Sequence, residues 1–97
     1  MPRNTEHKNL NNANPKFSVY PNPAKEHINV EYKLIEQKGA IQFVITDITG
    51  QIVLQKQLFN LQDIVIVKIA GLSKGTYNCS LYNGSKLEFN EKLIIDN

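Results

Sequence analysis

The residues able to do chemistry are few and far apart. Cys79 is the only thiol in the chain, and nucleophilic catalysis needs a base beside its nucleophile. The two histidines, His7 and His27, are the candidates. His7 lies in a polar leader, and His27, beside Glu26, would have to approach Cys79 across the fold. The plainer reading of Cys79, inside "TYNCSLY", is a small buried hydrophobe. Neither histidine stands at metal-ligand spacing from Cys79 or from a carboxylate. The acids are scattered singly, with no pair suited to glycoside hydrolysis, and no glycine-rich loop could cradle a phosphate. Two glycosylation sequons, Asn78-Cys79-Ser80 and Asn83-Gly84-Ser85, fall inside a strand and in a tight turn, and chance accounts for both. The expectation is a protein that is not an enzyme, with no cofactor, no metal and no small-molecule substrate.

Charge excludes a further class. Residues 1–16 carry Arg3, Lys8 and Lys16 against Glu6, which accounts for the whole net charge of +2. Residues 17–97 balance eight lysines with eight acids. An interspersed neutral surface is not a nucleic-acid face, which needs clustered bases. Lysine outnumbers arginine ten to one, so a guanidinium fork for phosphate is not in prospect. No stretch approaches the roughly 18 apolar residues of a membrane helix, and the opening residues lack the apolar region of a signal peptide.

These residues must be positioned by strands. The first 16 residues hold five asparagines and almost nothing apolar, so they bury too little to offset ordering entropy. They read as a flexible linker or an added remnant, with the fold occupying 17–97. From Phe17 the apolar period becomes two. "HINVEYKL" puts Ile28, Val30, Tyr32 and Leu34 on one face, and "AIQFVIT" does so with Ile41, Phe43 and Ile45. In "QIVLQKQL" the core face reads Ile52, Leu54 and Leu58; in "TYNCSLY" it reads Tyr77, Cys79 and Leu81. "DIVIVKI" is apolar on both faces, which predicts a central strand covered from both sides. In "KLEFNEKLII" the core positions are Leu87, Phe89, Leu93 and Ile95, and Glu91 on that same face predicts a bulge or strand end near it. "DITG" at 47–50 has type I turn chemistry. Asn83-Gly84 predicts a type I′ hairpin with both residues at positive φ. About seven short strands at this spacing indicate an all-β, immunoglobulin-like antiparallel β-sandwich.

Four punctuation marks remain: Tyr20-Pro21-Asn22-Pro23, Asp47-Ile48-Thr49-Gly50, Gly75-Thr76-Tyr77 and Lys92-Leu93-Ile94-Ile95. Each alone is turn or strand-end chemistry. Two prolines one residue apart exclude a central strand and make a stiff corner between the leader and the first long strand. In their order and spacing, "YPNPA", "ITDITGQIV", "LSKGTYNCSL" and "EKLII" resemble the C-terminal sorting domain (type A) of cargo proteins of the type IX (Por) secretion system in Bacteroidetes. The resemblance covers Phe17 to Ile95.

The resemblance implies a non-catalytic sorting signal that directs its parent protein through an outer-membrane translocon. A sorting peptidase then cuts upstream, and the cargo is released or attached at the cell surface. Carried over by position, the recognition candidates are Pro21, Pro23, Gly50, Gly75, Tyr77 and Lys92. Such cargo proteins also have a signal peptide and a cargo domain, so this chain is expected to be an excised C-terminal fragment with an added Met1. The competing reading is a stand-alone immunoglobulin-like accessory module that binds carbohydrate or mediates adhesion. Its sugar-binding aromatics would be Tyr20, Tyr32 and Tyr82.

Overall fold

A computed structural model describes residues 14–97; His7 and the leader's expected flexibility over residues 1–13 lie outside the described residues, and Lys16, counted with the leader, is the first residue of a strand and pairs with Lys33. Seven strands follow in order: β1 (Lys16–Tyr20), β2 (His27–Lys33), β3 (Ile41–Thr46), β4 (Ile52–Leu58), β5 (Gln62–Lys68), β6 (Gly75–Asn83) and β7 (Lys86–Ile95). They form two antiparallel sheets, β1-β2-β5 and β4-β3-β6-β7, packed as the expected immunoglobulin-like sandwich. Alternation decides what enters the core. Ile28, Val30 and Tyr32 of one sheet meet Ile41, Phe43, Ile45, Cys79, Leu81 and Leu93 of the other, all fully buried. Tyr77 adds a fold-specific bond. Its hydroxyl donates to Ser73 O at 2.6 Å, four residues upstream in the β5–β6 connection, as the tyrosine corner of immunoglobulin-like sandwiches does.

The sheets differ in width by one strand, and the wider one is covered unevenly at its β4 edge. Phe17 of β1 stacks on Phe89 of β7 with centroids 5.6 Å apart. Phe17 also approaches Phe43 of β3, with centroids 6.4 Å apart. Along β4 the cover is uneven: Leu58, paired with Ile41, is buried, whereas Lys56, paired with Phe43 and on the same face, is exposed.

Four expectations are corrected, all by strand position or by bulges. β5 is not central; it is an edge strand covered on one face, with Ile64 and Ile66 exposed on the other. The β3–β4 register shifts by one between Ile45↔Leu54 and Thr46↔Ile52, which makes Val53 an extra residue and turns Ile52 outward. The β6–β7 register shifts between Leu81↔Phe89 and Tyr82↔Leu87. The bulge is therefore at Glu88, not near Glu91, and it exposes Leu87. Glu91 stays in regular pairing opposite Cys79 as a half-buried inward acid on an edge strand. The fourth concerns Asn83. Among the described residues no non-glycine has positive φ, and Asn83 pairs with Lys86 at the strand end. The loop is Gly84-Ser85, with positive φ at Gly84 alone, as in a type II′ turn.

Asn83 instead does a different job. It is buried, its Oδ1 accepts from Lys38 N at 2.8 Å, and its Nδ2 donates to Glu36 O at 2.8 Å. It thereby holds the 35–40 loop against the hairpin. The two backbones come so close there that a Cβ on Gly39 would lie 2.7 Å from Gly84 Cα.

Candidate functional site

The Pro-Asn-Pro corner does not simply turn the chain; it docks along the free edge of β7. Asn22 Nδ2 donates to Lys92 O at 2.9 Å, and Ile94 N donates to Asn22 Oδ1 at 2.9 Å. Ala24 N then donates to Ile94 O at 2.8 Å, and Asp96 N to Ala24 O at 2.7 Å. Ala24 and Ile95 form a parallel bridge. The amide of Asn22 thus stands in for a peptide group and extends a short parallel ladder by one rung. A chain segment with proline at 21 and 23 has too few backbone donors to do this itself. Both X-Pro bonds flanking Asn22 are cis, and both proline rings are exposed. Lys25 Nζ, donating to Asp96 O at 3.1 Å, and the Lys74–Asp96 ion pair at 3.6 Å fasten the same end.

The other candidates gather beside this ladder. Lys92, Asn78 and Thr46 form one row across β7, β6 and β3. With Asp47, Gly50 and Tyr77 they line a shallow depression of about 460 Å³. Gly75 pairs with Ile95 at the same end of the sheet. The six residues singled out in the sequence therefore lie at one end of the four-stranded sheet, although they span positions 21 to 92.

Their exposures differ. Pro21, Pro23, Gly50 and Lys92 are exposed, while Tyr77 is 8% exposed and tied up in the tyrosine corner. Gly50 is held by the turn. Gly50 N donates to Asp47 O and Asp47 N to Gln51 O, both at 3.0 Å. This is a type I turn closed by a residue in the left-handed region, and Gly50 has φ +90°. Asp47 Oδ1 accepts from Thr49 Oγ1 at 2.6 Å, Thr49 N at 2.9 Å and Gln51 N at 3.0 Å. These donors, the Thr49 hydroxyl first, hold its carboxyl below the usual carboxylate range.

The reactive groups weighed in the sequence stay apart. Cys79 is fully buried, and burial, with the Glu91 charge second, pushes its thiol up to about 12. His27 is exposed at the start of β2 in the other sheet. Among the tyrosines, Tyr32 is not a surface residue; it is fully buried, with its hydroxyl donating to Asn60 O at 2.6 Å. The residue that sequence reasoning missed is Asn22. Its place between two prolines was the available signal, since only its side chain can supply the missing rung.

No curated protein and no solved structure matches the chain. A family model does: the secretion system C-terminal sorting domain, over residues 18–96. That span contains β2 to β7 entirely and all six candidate positions. The chain belongs to the family of secretion system C-terminal sorting domains, the signals that mark proteins for type IX secretion to the cell surface or the extracellular space.

Proposed function

We propose that the secretion machinery reads a composite surface at this end of the sandwich, made by the Pro-Asn-Pro corner and the outward row of β7. The observation that carries this reading is the pair of hydrogen bonds from Asn22 to Lys92 O and from Ile94 N. It makes the two ends of the motif series one rigid object. A translocon that accepts many cargos cannot read the cargo, so it must read something the label presents in fixed geometry. Pro21, Pro23 and Lys92 are the contact residues. Gly50, Gly75 and Tyr77 shape the surface behind them. The readers are the outer-membrane translocon and a sorting peptidase that cuts upstream, with the residues ahead of β1 as the linker that presents the cut. The domain itself does no catalysis, which the buried, strongly raised thiol of Cys79 supports.

Lys92→Ala and Lys92→Glu test this surface. An exposed side chain contributes little to folding, so stability should stay within about 0.5 kcal/mol. A cargo fused ahead of either variant should accumulate in the periplasm. Export at the unaltered level by variants that melt normally would remove Lys92 from the recognised surface.

A further inference from the structure

We propose that Asn83 is a fold-gated deamidation site. While the sandwich is closed its amide is kept intact; once the chain opens, the amide converts to an acid that the fold cannot take back.

Among the asparagines of the chain, Asn83 alone precedes a glycine. That neighbour leaves the path to the side-chain carbonyl clear, because it carries no side chain of its own. In the reaction Gly84 N attacks Asn83 Cγ. A C–N bond forms, the bond from Cγ to Nδ2 breaks, and ammonia leaves with the proton that Gly84 N gave up. Water then opens the five-membered succinimide at either carbonyl, which yields aspartate or isoaspartate. The step needs no oxidant and no partner other than water.

The fold holds both reacting groups. Gly84 N donates to Ala40 O at 2.8 Å. Asn83 is 1% exposed and ends β6 opposite Lys86. Its Oδ1 accepts from Lys38 N at 2.8 Å, and its Nδ2 donates to Glu36 O at 2.8 Å and to Glu88 Oε2 at 3.3 Å. A backbone N–H can only donate and a carbonyl oxygen only accept, so these partners fix which end of the amide is nitrogen. The 35–40 loop must therefore leave the hairpin before Gly84 N can reach Cγ.

The same bonds reject the product. Aspartate at 83 sets an oxygen where Nδ2 stood, against the Glu36 carbonyl and the Glu88 carboxylate, in a place closed to water. Isoaspartate instead inserts a main-chain carbon between 83 and 84. There the backbones are already so close that a Cβ on Gly39 would lie 2.7 Å from Gly84 Cα, and the added atom shifts the hairpin against the loop. Time spent open is thus recorded one way. The inference stands apart from the sorting reading and needs no translocon.

The full chain is aged at mildly alkaline pH, folded or in urea, and residue 83 is followed by peptide mapping. Deamidation there should be at least about a hundredfold slower in the folded chain, where only the open fraction reacts. After urea ageing and dilution, the refolded fraction should hold less isoaspartate at 83 than the fraction left open. Gly39→Ala drives a Cβ into Gly84 and should speed deamidation of the folded domain about tenfold or more. Asn83→Asp should lower the folded-to-unfolded ratio about tenfold or more at that pH. Equal rates with and without urea, a folded Gly39→Ala domain that deamidates no faster, or an Asn83→Asp domain as stable as the unaltered one would each overturn the proposal. Should a variant fail to fold, the comparison on the unaltered chain still decides it.

Discussion

Asn22→Ala removes both side-chain rungs between the corner and β7. Each hydrogen bond contributes about 0.5–1.5 kcal/mol net, and both are solvent-accessible, so the expected loss is about 1–2 kcal/mol. For a domain of this size that lowers the melting temperature by roughly 4–8 °C per kcal/mol. The effect should also be local. Ile94 N loses its acceptor, and an opening easier by that energy exchanges about 5–30 times faster. The amides of Cys79 and Leu81, in the centre of the sheet, should change only with global stability. Urea melts and amide exchange measure the two quantities. Asn22→Asp is the matching control: it keeps an acceptor for Ile94 N but loses the donor to Lys92 O, so Ile94 should remain protected while stability falls. A loss under about 0.5 kcal/mol with unchanged Ile94 exchange would refute the idea that Asn22 joins the two motifs.

Leu81→Ala, at a fully buried site, should cost about 2–5 kcal/mol in denaturant melts. Gly50→Ala meets no atom within 4 Å, so its cost is backbone strain alone, about 1–2 kcal/mol, and Gly50→Asn should cost less. Cys79 should resist thiol reagents at pH 8 until urea unfolds the chain. Its folded thiol is raised to about 12 from an ordinary 9.0, so above pH 9 the unfolded chain loses its proton first. The corresponding stability is intact below pH 9 and declines as pH rises toward 12, and Cys79→Ser should flatten that part of the pH–stability curve.

Much of the fold was legible because period-two patterning survives wherever pairing is regular. Ile28, Val30, Tyr77, Cys79 and Leu81 were all placed on the core side by alternation alone. Ile52 and Leu87 were misplaced because one extra residue, at Val53 or Glu88, exchanges the faces of everything beyond it, and nothing in "IVLQ" or "LEFN" marks the bulge. β5 was misread for another reason. An apolar face looks the same in sequence whether a second layer covers it or nothing does, and only the sheet order tells them apart. Tyr32 was assigned two incompatible places, a core position and a candidate surface aromatic; the alternation was the sound argument. The candidate positions could be identified one by one, but not their meeting at one end of the sheet. That depends on β7 lying beside the Pro-Asn-Pro corner some seventy residues upstream, a neighbourhood that local pattern does not encode. Asn83 shows the same limit: its hairpin chemistry was visible, its bonds to Glu36 and Lys38 were not.

The most direct measurement concerns the domain as a sorting signal. Residues 1–97 are fused behind a signal peptide and a fluorescent cargo, in a host with its own type IX machinery, and compared with the same cargo lacking the domain. The account predicts that the fusion reaches the surface or the medium while the bare cargo stays in the periplasm. Retention of the fusion in cells that still export the host's own cargo would contradict it.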